Sequence, residues 1–295
     1  MSAPVVLTVG ECLYDELPTG ALPGGGPFNA AAHAAALGTP VALLTAVGDD
    51  ARGRELRALA ARLGVDTRLF QRNYLPTGRV TVTFDTVGEP AYDIVAPVAW
   101  DLIRYPSPDD PDPDPALAAL PTILSEVRAV AYWLLGVRSQ VTRGTVAQVL
   151  AKAPPTALRV VDVGLRQNFY DAAVVDWALR EAHVAKLNEG ELRTVSELLG
   201  IEPGAEALAR AYGLDTLIVT RGAEGAYSLR DGRRTAVVAA PVTRLVDTIG
   251  CGDSFLAGYL HARLGGAGEE TCLRAGAERG AYTAGRRGGL PPMPA

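Results

Sequence analysis

Val246–Leu260 reads VDTIGCGDSFLAGYL, in which a glycine-rich turn with an acidic residue is followed by an apolar run. The apolar residues share one side of a helix that we expect to begin near Gly252: Phe255, Leu256, Tyr259, Leu260 and Leu264. A helix N-terminus presents unpaired backbone N–H groups and a positive dipole end, and neighbouring glycines let an anion approach the backbone. Gly250, Cys251 and Gly252 are therefore predicted to hold a phosphate, with Asp253 beside it as a general base. The simpler alternative is a turn whose acidic residue only stabilises the helix N-terminus.

Length, charge and cysteine content narrow the class of protein. The 295 residues can bury a large core, as one large α/β domain or as two smaller ones. A formal net charge of −5 gives no basis for binding nucleic acid or an anionic membrane. No apolar run reaches the roughly 18 residues of a membrane-spanning helix, and residues 1–11 lack the basic start of a signal peptide. Cys12, Cys251 and Cys272 show no CxxC spacing, so we predict no disulfide framework, no zinc site and a cytoplasmic location.

Short β-branched runs alternate with helical patterns and predict an α/β fold with a doubly wound, mainly parallel sheet flanked by helices. The predicted strands are mostly continuous apolar runs, as expected where helices cover both faces of a sheet: Val5–Val9, Val41–Val47, Ala129–Leu135, Arg159–Val163, Val184–Leu187 and Thr216–Thr220. The predicted helices repeat apolar residues at helical spacing: Asn29–Leu37, Arg52–Leu63, Ala116–Val127, Thr142–Ala151, Val174–Glu181, Glu189–Leu199, Ala205–Ala211, the one after Gly252, and Glu269–Ala284. We expect residues 1–295 to form a single domain.

One segment breaks this alternation. Arg79–Thr86 (RVTVTFDT) alternates apolar and polar residues, residues 87–90 (VGEP) predict a turn, and Ala91–Val95 (AYDIV) runs extended again. This pattern predicts a half-exposed β-hairpin. The hairpin is either an extension at the edge of the sheet or a small β lid over a cleft that excludes water.

Polar groups near the N-terminus also point to a ligand site. Leu22–Asn29 (LPGGGPFN) precedes an Ala-rich helix, and its glycines permit close approach of a ligand to the backbone. Asn29 lies at the expected N-cap, and its amide also suits a polyol hydroxyl. Asp15 follows the first strand, near the carboxyl edge where open parallel sheets bind ligands, and either binds sugar hydroxyls or caps a turn. His33, which lacks metal-ligand spacing to the other histidines, is expected to be an ordinary helix residue.

Four ordered motifs make nearly the whole chain resemble the ribokinase-like, phosphofructokinase-B type carbohydrate kinases. In chain order they are Gly25-Gly26-Pro27-Phe28-Asn29 with Leu37-Gly38 and Val47-Gly48-Asp49-Asp50, then Lys186-Leu187-Asn188-Glu189-Gly190-Glu191, Thr220-Arg221-Gly222-Ala223-Glu224-Gly225 and Asp247-Thr248-Ile249-Gly250-Cys251-Gly252-Asp253. Gly10-Glu11 with Asp15, Pro76-Thr77-Gly78 and Trp100-Asp101 are similar to bacterial fructokinases in particular. The resemblance implies a ribokinase-like sheet flanked by helices, with a β lid over the sugar contributed by about residues 11–22 and 72–100.

The resemblance also implies an activity: ATP-dependent transfer of phosphate to a primary hydroxyl of a monosaccharide, with fructose as the first candidate. Asp253 would be the catalytic base, and the Gly250–Gly252 amides the anion hole. Asn188 and Glu191 would organise Mg²⁺ through water, although they also suit the cap and first turn of a helix. The remaining implied contacts are to the sugar or its phosphate, from Asp15, Gly25, Gly26, Asn29 and Arg166, and to the nucleotide, from Thr220, Gly222, Gly225 and Asp247.

Three further expectations follow from the resemblance. A sugar and ATP are the expected partners, without nucleic acid or membrane. The lid is either free or pairs with a second subunit to form a homodimer, because its edges would otherwise be unpaired. A monovalent cation such as K⁺ near Asp247 and Ile249 is suggested by the resemblance alone.

Two residues depart from the family pattern. Gly164 stands where fructokinase-like members usually have Asn, which leaves the identity of the sugar open. Cys251 stands where Ala is more usual, and a thiol at a helix N-terminus is expected to have a lowered pKa and high reactivity. We therefore expect alkylation or mild oxidation of Cys251 to block phosphate binding, and ATP to protect the thiol. The alternative is a small, inert residue.

Other functions are consistent with the same pattern. Another substrate of the family would be 2-keto-3-deoxygluconate, ribose or a nucleoside. A sugar- or nucleotide-binding regulator without turnover is a hypothesis from a different class. The presence of Asp253, Asn188 and Glu191 favours the enzyme.

Overall fold

The computed structural model describes residues 5–84, 90–107 and 114–293 of this chain. The strands within these residues are, in chain order, β1 (Val6–Val9), β2 (Leu13–Leu17), β3 (Gly20–Gly24), β4 (Val41–Gly48), β5 (Phe70–Asn73), β6 (Gly78–Phe84), β7 (Pro90–Ile94), β8 (Ala129–Trp133), β9 (Leu158–Asp162), β10 (Val184–Asn188), β11 (Thr216–Thr220), β12 (Ala226–Arg230) and β13 (Arg233–Val237). The helices are α1 (Gly26–Ala36), α2 (Ala51–Arg62), α3 (Leu120–Glu126), α4 (Gln140–Lys152), α5 (Ala172–Glu181), α6 (Glu189–Leu199), α7 (Ala205–Tyr212), α8 (Cys251–Leu264) and α9 (Glu269–Ala284).

The central sheet has nine strands in the order β13-β12-β11-β10-β9-β8-β1-β4-β5. Neighbours from β11 to β5 are parallel, whereas β12 and β13 pair antiparallel at one edge. β1 and β4 are buried along their whole length, because helices flank the sheet. The predicted mainly parallel α/β sheet is confirmed.

The strand order changes direction next to β1, and this point decides where a ligand can bind. β1 connects onward to β4 on one side, whereas β8 to β11 extend in order on its other side. Val6 of β1 pairs with both Val41 of β4 and Ala129 of β8. In open α/β sheets the crevice beyond the carboxyl ends of such strands is the usual ligand site.

A second sheet of four strands has the order β3-β2-β6-β7. β2 pairs antiparallel with β3 and parallel with β6, and β6 and β7 form an antiparallel pair. The two strands of the predicted hairpin are therefore present, and the predicted turn at 87–89 lies outside the described residues. Val80 and Ile94 are buried against the main core. β3 was not predicted, since its short sequence, GALPG, contains two glycines and a proline.

Three predicted boundaries were wrong. α1 begins at Gly26 with Gly25 as its N-cap, three residues before the predicted start, because Pro27 is tolerated in a first helical turn. Asn29 is therefore not the N-cap, and its N–H donates to Gly25 O at 2.8 Å. The predicted helix Ala116–Val127 is a 3₁₀ segment, Pro115–Ala119, followed by α3. The predicted strand Ala129–Leu135 ends at Trp133, after which the chain turns into a short 3₁₀ segment.

Helix α8 packs against both α1 and α9. Its closest approach to α9 is at two glycines. A Cβ atom at Gly258 would overlap the carbonyl oxygen of Ala275, and one at Gly276 would lie 3.0 Å from the ring of Phe255. Small residues thus bring the two helices together and fix the position of the α8 N-terminus. None of the helices within the described ranges is long and apolar enough to cross a membrane.

We expect Gly258→Ala to lower the free energy of unfolding by about 1–3 kcal/mol, the usual cost of overpacking. Gly144→Ala in α4 is the matched control, because nothing lies within 4 Å of a Cβ atom there. This control should leave stability unchanged or raise it by up to about 1 kcal/mol through helix propensity. Urea unfolding of both variants measures the difference. Equal midpoints for Gly258→Ala and the unsubstituted protein would contradict the tight α8–α9 contact.

Candidate active site

Chemically useful side chains lie in a row along the carboxyl edge of the central sheet. Trp133, Asp162, Asn188 and Thr220 are the last residues of the successive strands β8, β9, β10 and β11. Trp133 pairs in register with Asp162, and Asn188 with Thr220. The N-terminus of α8 lies against this edge, where the carboxylate of Asp253 reaches Trp133. The fold thus brings the predicted base and the strand ends to one place.

Both oxygens of the Asp253 carboxylate accept hydrogen bonds. Nδ2 of Asn29 donates to Oδ2 at 2.9 Å, and Nε1 of Trp133 donates to Oδ1 at 3.0 Å. Asn29, predicted to hold the sugar, therefore holds the predicted base in this structure. Trp133 was not predicted as a site residue, although it lies at the carboxyl end of β8, the edge where such sheets bind ligands.

Glycines at the start of α1 allow this arrangement. A Cβ atom at Gly26 would lie 2.5 Å from Nε1 of Trp133 and 3.1 Å from Oδ1 of Asp253. At Gly25, where φ is 108°, a Cβ atom would lie 2.5 Å from the carbonyl oxygen of Glu11. Other groups therefore lie close to the backbone of both glycines, but these groups belong to the protein and not to a ligand.

Gly250, Cys251 and Gly252, the predicted phosphate cradle, lie at the start of α8. Other parts of the protein pack closely against its two glycines. Gly250 is the N-cap with φ 74°, and a Cβ atom there would lie 2.5 Å from Cα of Gly289. A Cβ atom at Gly252 would lie 2.9 Å from Nζ of Lys186. The amide of Cys251 donates to Thr248 O at 3.3 Å. The cradle thus combines a helix N-terminus with a nearby ammonium group, an arrangement that favours an anion.

Lys186 is a functional candidate that the sequence analysis quoted only as part of a motif. Its Nζ donates to Oδ2 of Asp162 at 2.8 Å, and both side chains are buried. Burial acts to lower the pKa of Lys186, but the carboxylates of Asp162, Glu191 and Asp253 outweigh it and raise the pKa. Lys186 is therefore charged at neutral pH. The sequence does indicate such a role, because Lys186 interrupts the otherwise apolar strand VAKLN. A buried lysine is rare unless it has a charged partner.

Asn188 and Glu191 form a capping box at the start of α6. Oδ1 of Asn188 accepts from the N–H of Glu191 at 2.8 Å, and the N–H of Asn188 donates to Oε2 of Glu191 at 2.8 Å. Oε1 of Glu191 accepts from the N–H of Leu165 at 3.2 Å. Within the described ranges no three His, Cys, Asp or Glu residues cluster as a metal site. Since these oxygens already accept hydrogen bonds, they fit a hydrated Mg²⁺ held through water and not a directly coordinated ion.

Three carboxyl groups near Asp253 are unusually easy to protonate, and burial raises the pKa of one of them, Asp162, to about 6. Burial raises the pKa of Glu11 to about 7, and the charge of Asp253 adds to this shift. Burial and Asp253 likewise raise the pKa of Asp15, on β2, to about 6. Oε1 of Glu11 accepts from the N–H of Gly26 at 3.1 Å, whereas its buried Oε2 has no donor among the described groups. A buried acceptor without a donor costs free energy.

Gly164 and Arg166 form a more open side of the site. A Cβ atom at Gly164 would lie 3.6 Å from Oδ1 of Asp162 and 3.9 Å from Nη1 of Arg166, in ordinary contact distance. The Arg166 guanidinium is more than half exposed and lies 3.9 Å from Oε1 of Glu191. The Arg166 cation is thus open to a ligand, whereas the Glu191 side chain is largely buried.

A cavity of about 540 Å³ adjoins the start of α8. It brings together the predicted nucleotide contacts Thr220, Gly222 and Gly225 with Cys251 and Gly252. Its other walls are mostly apolar: Ala223, Ala239, Ala240, Pro241, Val242, Leu245, Thr248, Phe255, Ala277, Gly280, Ala281 and Ala284. The cavity lining does not include Asp247. Its carboxylate accepts from the N–H groups of Ile249 at 2.6 Å and Gly288 at 2.8 Å.

The expected lowered pKa of Cys251 is wrong. Burial raises the pKa of this thiol to about 11, and the carboxylates of Asp247 and Asp253 add to the shift. The thiolate would be a third negative charge in a partly desolvated position, and this outweighs the helix dipole. The structure favours the alternative of an inert residue.

His33 is not an ordinary helix residue. It is fully buried, its Nδ1 accepts from Nε of Arg279 at 2.8 Å, and its Nε2 bonds to Gly289 O at 2.9 Å. Because Arg279 can only donate, Nε2 carries the proton. Burial lowers the pKa of His33 to about 4, so the ring is neutral at neutral pH. Residues 288–290, the C-terminal strap, are thereby held against Gly250.

Comparisons with known proteins agree with this geometry. A family model described as pfkB family carbohydrate kinase matches residues 19–295. A fructokinase from Salmonella typhimurium is 29% identical over 86% of this chain and 83% of its own length. A 2-dehydro-3-deoxygluconokinase from Dickeya dadantii is 27% identical over 100% of this chain and 99% of its own. The crystal structure of a fructokinase from Vibrio cholerae with fructose, ADP and calcium bound has the same fold, with a TM-score of 0.81, 22% identity and coverage of 100% of this chain and 97% of that one.

The raised pKa of Cys251 predicts slow alkylation at neutral pH. Labelling by iodoacetamide should accelerate about tenfold per pH unit from pH 8 to pH 10, as the thiolate fraction grows. Cys12 and Cys272 are fully buried and should not compete. Mass spectrometry of the labelled protein measures the rate, with Cys251→Ala as the control for site assignment. Labelling of Cys251 at pH 7 as fast as that of free cysteine would contradict this prediction.

Proposed function

The chain belongs to the pfkB family of carbohydrate kinases, and we propose that this ATP-dependent sugar kinase phosphorylates a primary hydroxyl of a monosaccharide, with fructose as the first candidate. The observation that carries the proposal is the position of Asp253. Its carboxylate lies in the first turn of α8, beside the cradle at Gly250–Gly252, and is held there by Asn29 and Trp133. A base next to an anion site is the arrangement that phosphoryl transfer to a hydroxyl requires.

In this proposal Asp253 is the general base. It takes the proton of the sugar hydroxyl while the hydroxyl oxygen forms a bond to the γ-phosphorus of ATP. The bond from that phosphorus to the bridging oxygen breaks, and its electron pair leaves with ADP. The proton on Asp253 then passes to solvent. Because little covalent chemistry is left to the protein, its contribution is positioning and charge stabilisation.

The transferred phosphoryl group is stabilised by positive charge from two sources. The backbone N–H groups at the start of α8 present the positive end of the helix dipole. Lys186 supplies a full charge next to Gly252. Asp162 holds the ammonium in place, which keeps a buried cation paired when no phosphate is bound.

Mg²⁺ is the metal that this site fits, held through water by Asn188 and Glu191. When bound, it supplies further neutralisation of the ATP phosphates. Thr220, Gly222 and Gly225 line the nucleotide cavity. Asp247 fixes the C-terminal strap through Gly288, and a monovalent cation beside it remains a proposal.

The sugar lies between the central sheet and the second sheet. Asp15 on β2 offers the acceptor for sugar hydroxyls, and Gly24 lies beside it, where a Cβ atom would be 2.5 Å from Oδ2 of Asp15. Asp15 belongs to the second sheet. Movement of that sheet over the site would therefore bring Asp15 to the sugar and exclude water. β3 and β7, at the edges of this sheet, could pair with a second copy of the chain.

A second candidate substrate is 2-keto-3-deoxygluconate. The exposed guanidinium of Arg166 suits a carboxylate, and Gly164 leaves space beside it. The relative from Dickeya dadantii carries that activity in its name. Fructose stands first because the residues Gly10-Glu11, Asp15 and Trp100-Asp101 resemble fructokinases, and because the relative from Salmonella typhimurium is named one.

We expect Asp253→Asn to lower kcat by at least about 10³-fold while the KM for the sugar stays within about threefold, because the amide keeps the shape but loses the basicity. A coupled ADP-release assay over fructose, 2-keto-3-deoxygluconate, ribose and nucleosides measures both constants. Asp171→Asn is the matched control: this residue caps α5 away from Asp253, and Asn caps a helix equally well.

Three outcomes of that assay separate the alternatives. A near-normal rate for Asp253→Asn would contradict its role as the base. Turnover by the unsubstituted protein on 2-keto-3-deoxygluconate but not on fructose would overturn the first candidate. Binding of a sugar without turnover on any of the substrates would support a regulator.

A further inference from the structure

Trp133 places a hydrogen-bond donor within apolar surroundings. Its side chain is 4% exposed and lies in an apolar cluster that includes Ala30, Phe255 and Leu256. Trp133 differs from phenylalanine in its second ring and in its indole N–H, and only the N–H can donate a hydrogen bond. That N–H donates to Asp253 at 3.0 Å.

A glycine leaves room for this contact. A Cβ atom at Gly26 would lie 2.5 Å from both Cδ1 and Nε1 of Trp133, so the start of α1 accepts the indole only because residue 26 has no side chain. Asn29 on the same helix occupies the other oxygen of Asp253. The two donors fix the carboxylate from opposite elements, β8 and α1, and each oxygen keeps a lone pair for the sugar hydroxyl.

We propose that Trp133 is a positioning residue for phosphoryl transfer, whose indole N–H holds the Asp253 carboxylate in its ionised, acceptor-only form. An indole can donate but never accept. A proton taken up by Asp253 therefore gains no partner in Trp133, and the donated bond favours the carboxylate over the acid. This inference rests on the proposed role of Asp253.

Other acidic groups surround Asp253. Glu11 after β1, Asp15 on β2 and Asp162 on β9 each interact with its charge. Lys186 on β10 is paired to Asp162, so part of its charge is already compensated. The neighbouring titratable groups on α1 and α8 are neutral at pH 7: His33 and Cys251. The N–H of Trp133 supports the carboxylate without adding a group that titrates.

Trp133→Phe tests this role, because it keeps an aromatic ring and removes the donor. We expect kcat to fall about tenfold at pH 7.5, with the KM for ATP unchanged within about twofold. The acid limb of the kcat–pH profile should move to higher pH by about one unit, since a donor to the charged form is lost. Trp177→Phe in α5 is the matched control and should leave both limbs in place.

A second measurement covers the case in which Trp133→Phe does not fold. The chain has three tryptophans, so ¹⁵N-labelled indoles give three N–H resonances by NMR. Asp253→Asn should move one of them, because the charged acceptor is lost. In the unsubstituted protein that resonance should titrate at the same pH as the acid limb.

The outcomes distinguish this inference from the proposed function. A folded Trp133→Phe variant with an unmoved acid limb and kcat within twofold would overturn the role of Trp133, even if Asp253→Asn is inactive. Three unmoved indole resonances in Asp253→Asn would also overturn it. Turnover retained in Asp253→Asn would instead overturn the proposed function.

Discussion

The N-termini of α1 and α8 approach closely enough to share the carboxylate of Asp253, and the rest of the site depends on that approach. Side chains at Gly25, Gly26 or Gly250 would meet protein atoms at 2.5 Å, so three glycines permit it. The parallel sheet supplies the matching strand end at Trp133, and α9 fixes α8 through Gly258 and Gly276. The geometry of one carboxylate thus follows from packing contacts spread over the whole fold.

Several acidic side chains of the site lie close together and are partly buried. Glu11, Asp15 and Asp253 lie close together, and burial keeps the pKa of the first two well above the usual range of carboxyl groups. Lys186 compensates part of this negative charge, but its ammonium group is already paired with Asp162. A polyol that donates hydrogen bonds to the carboxylates, and a phosphate that adds a partner for Lys186, would both relieve this arrangement. The site therefore favours the two kinds of group that a sugar kinase must hold.

Much of the fold could be predicted from the sequence, because it rests on local patterns. Apolar β-branched runs alternating with helical segments predicted the parallel sheet, and the GCGD turn predicted the start of α8 within one residue. Contacts between distant residues could not be predicted: Asn29 meets Asp253 across 224 positions, and Trp133 meets it across 120. For the same reason the prediction for Cys251 failed. The helix dipole can be inferred locally, whereas desolvation of the thiol depends on the folded surroundings.

The bond between His33 and Gly289 joins residues 256 positions apart. A ribosome releases a chain from its N-terminus, so α1 is made first and must wait until Gly289 has been made before this bond can form. Until then His33 has neither Arg279 nor the C-terminal strap as a partner, and Gly250 has nothing packed over it. A nascent chain that has completed the sheet through β13 would therefore still lack a formed phosphate cradle. The phosphate cradle is therefore completed only by residues far along the chain from the helix that holds them.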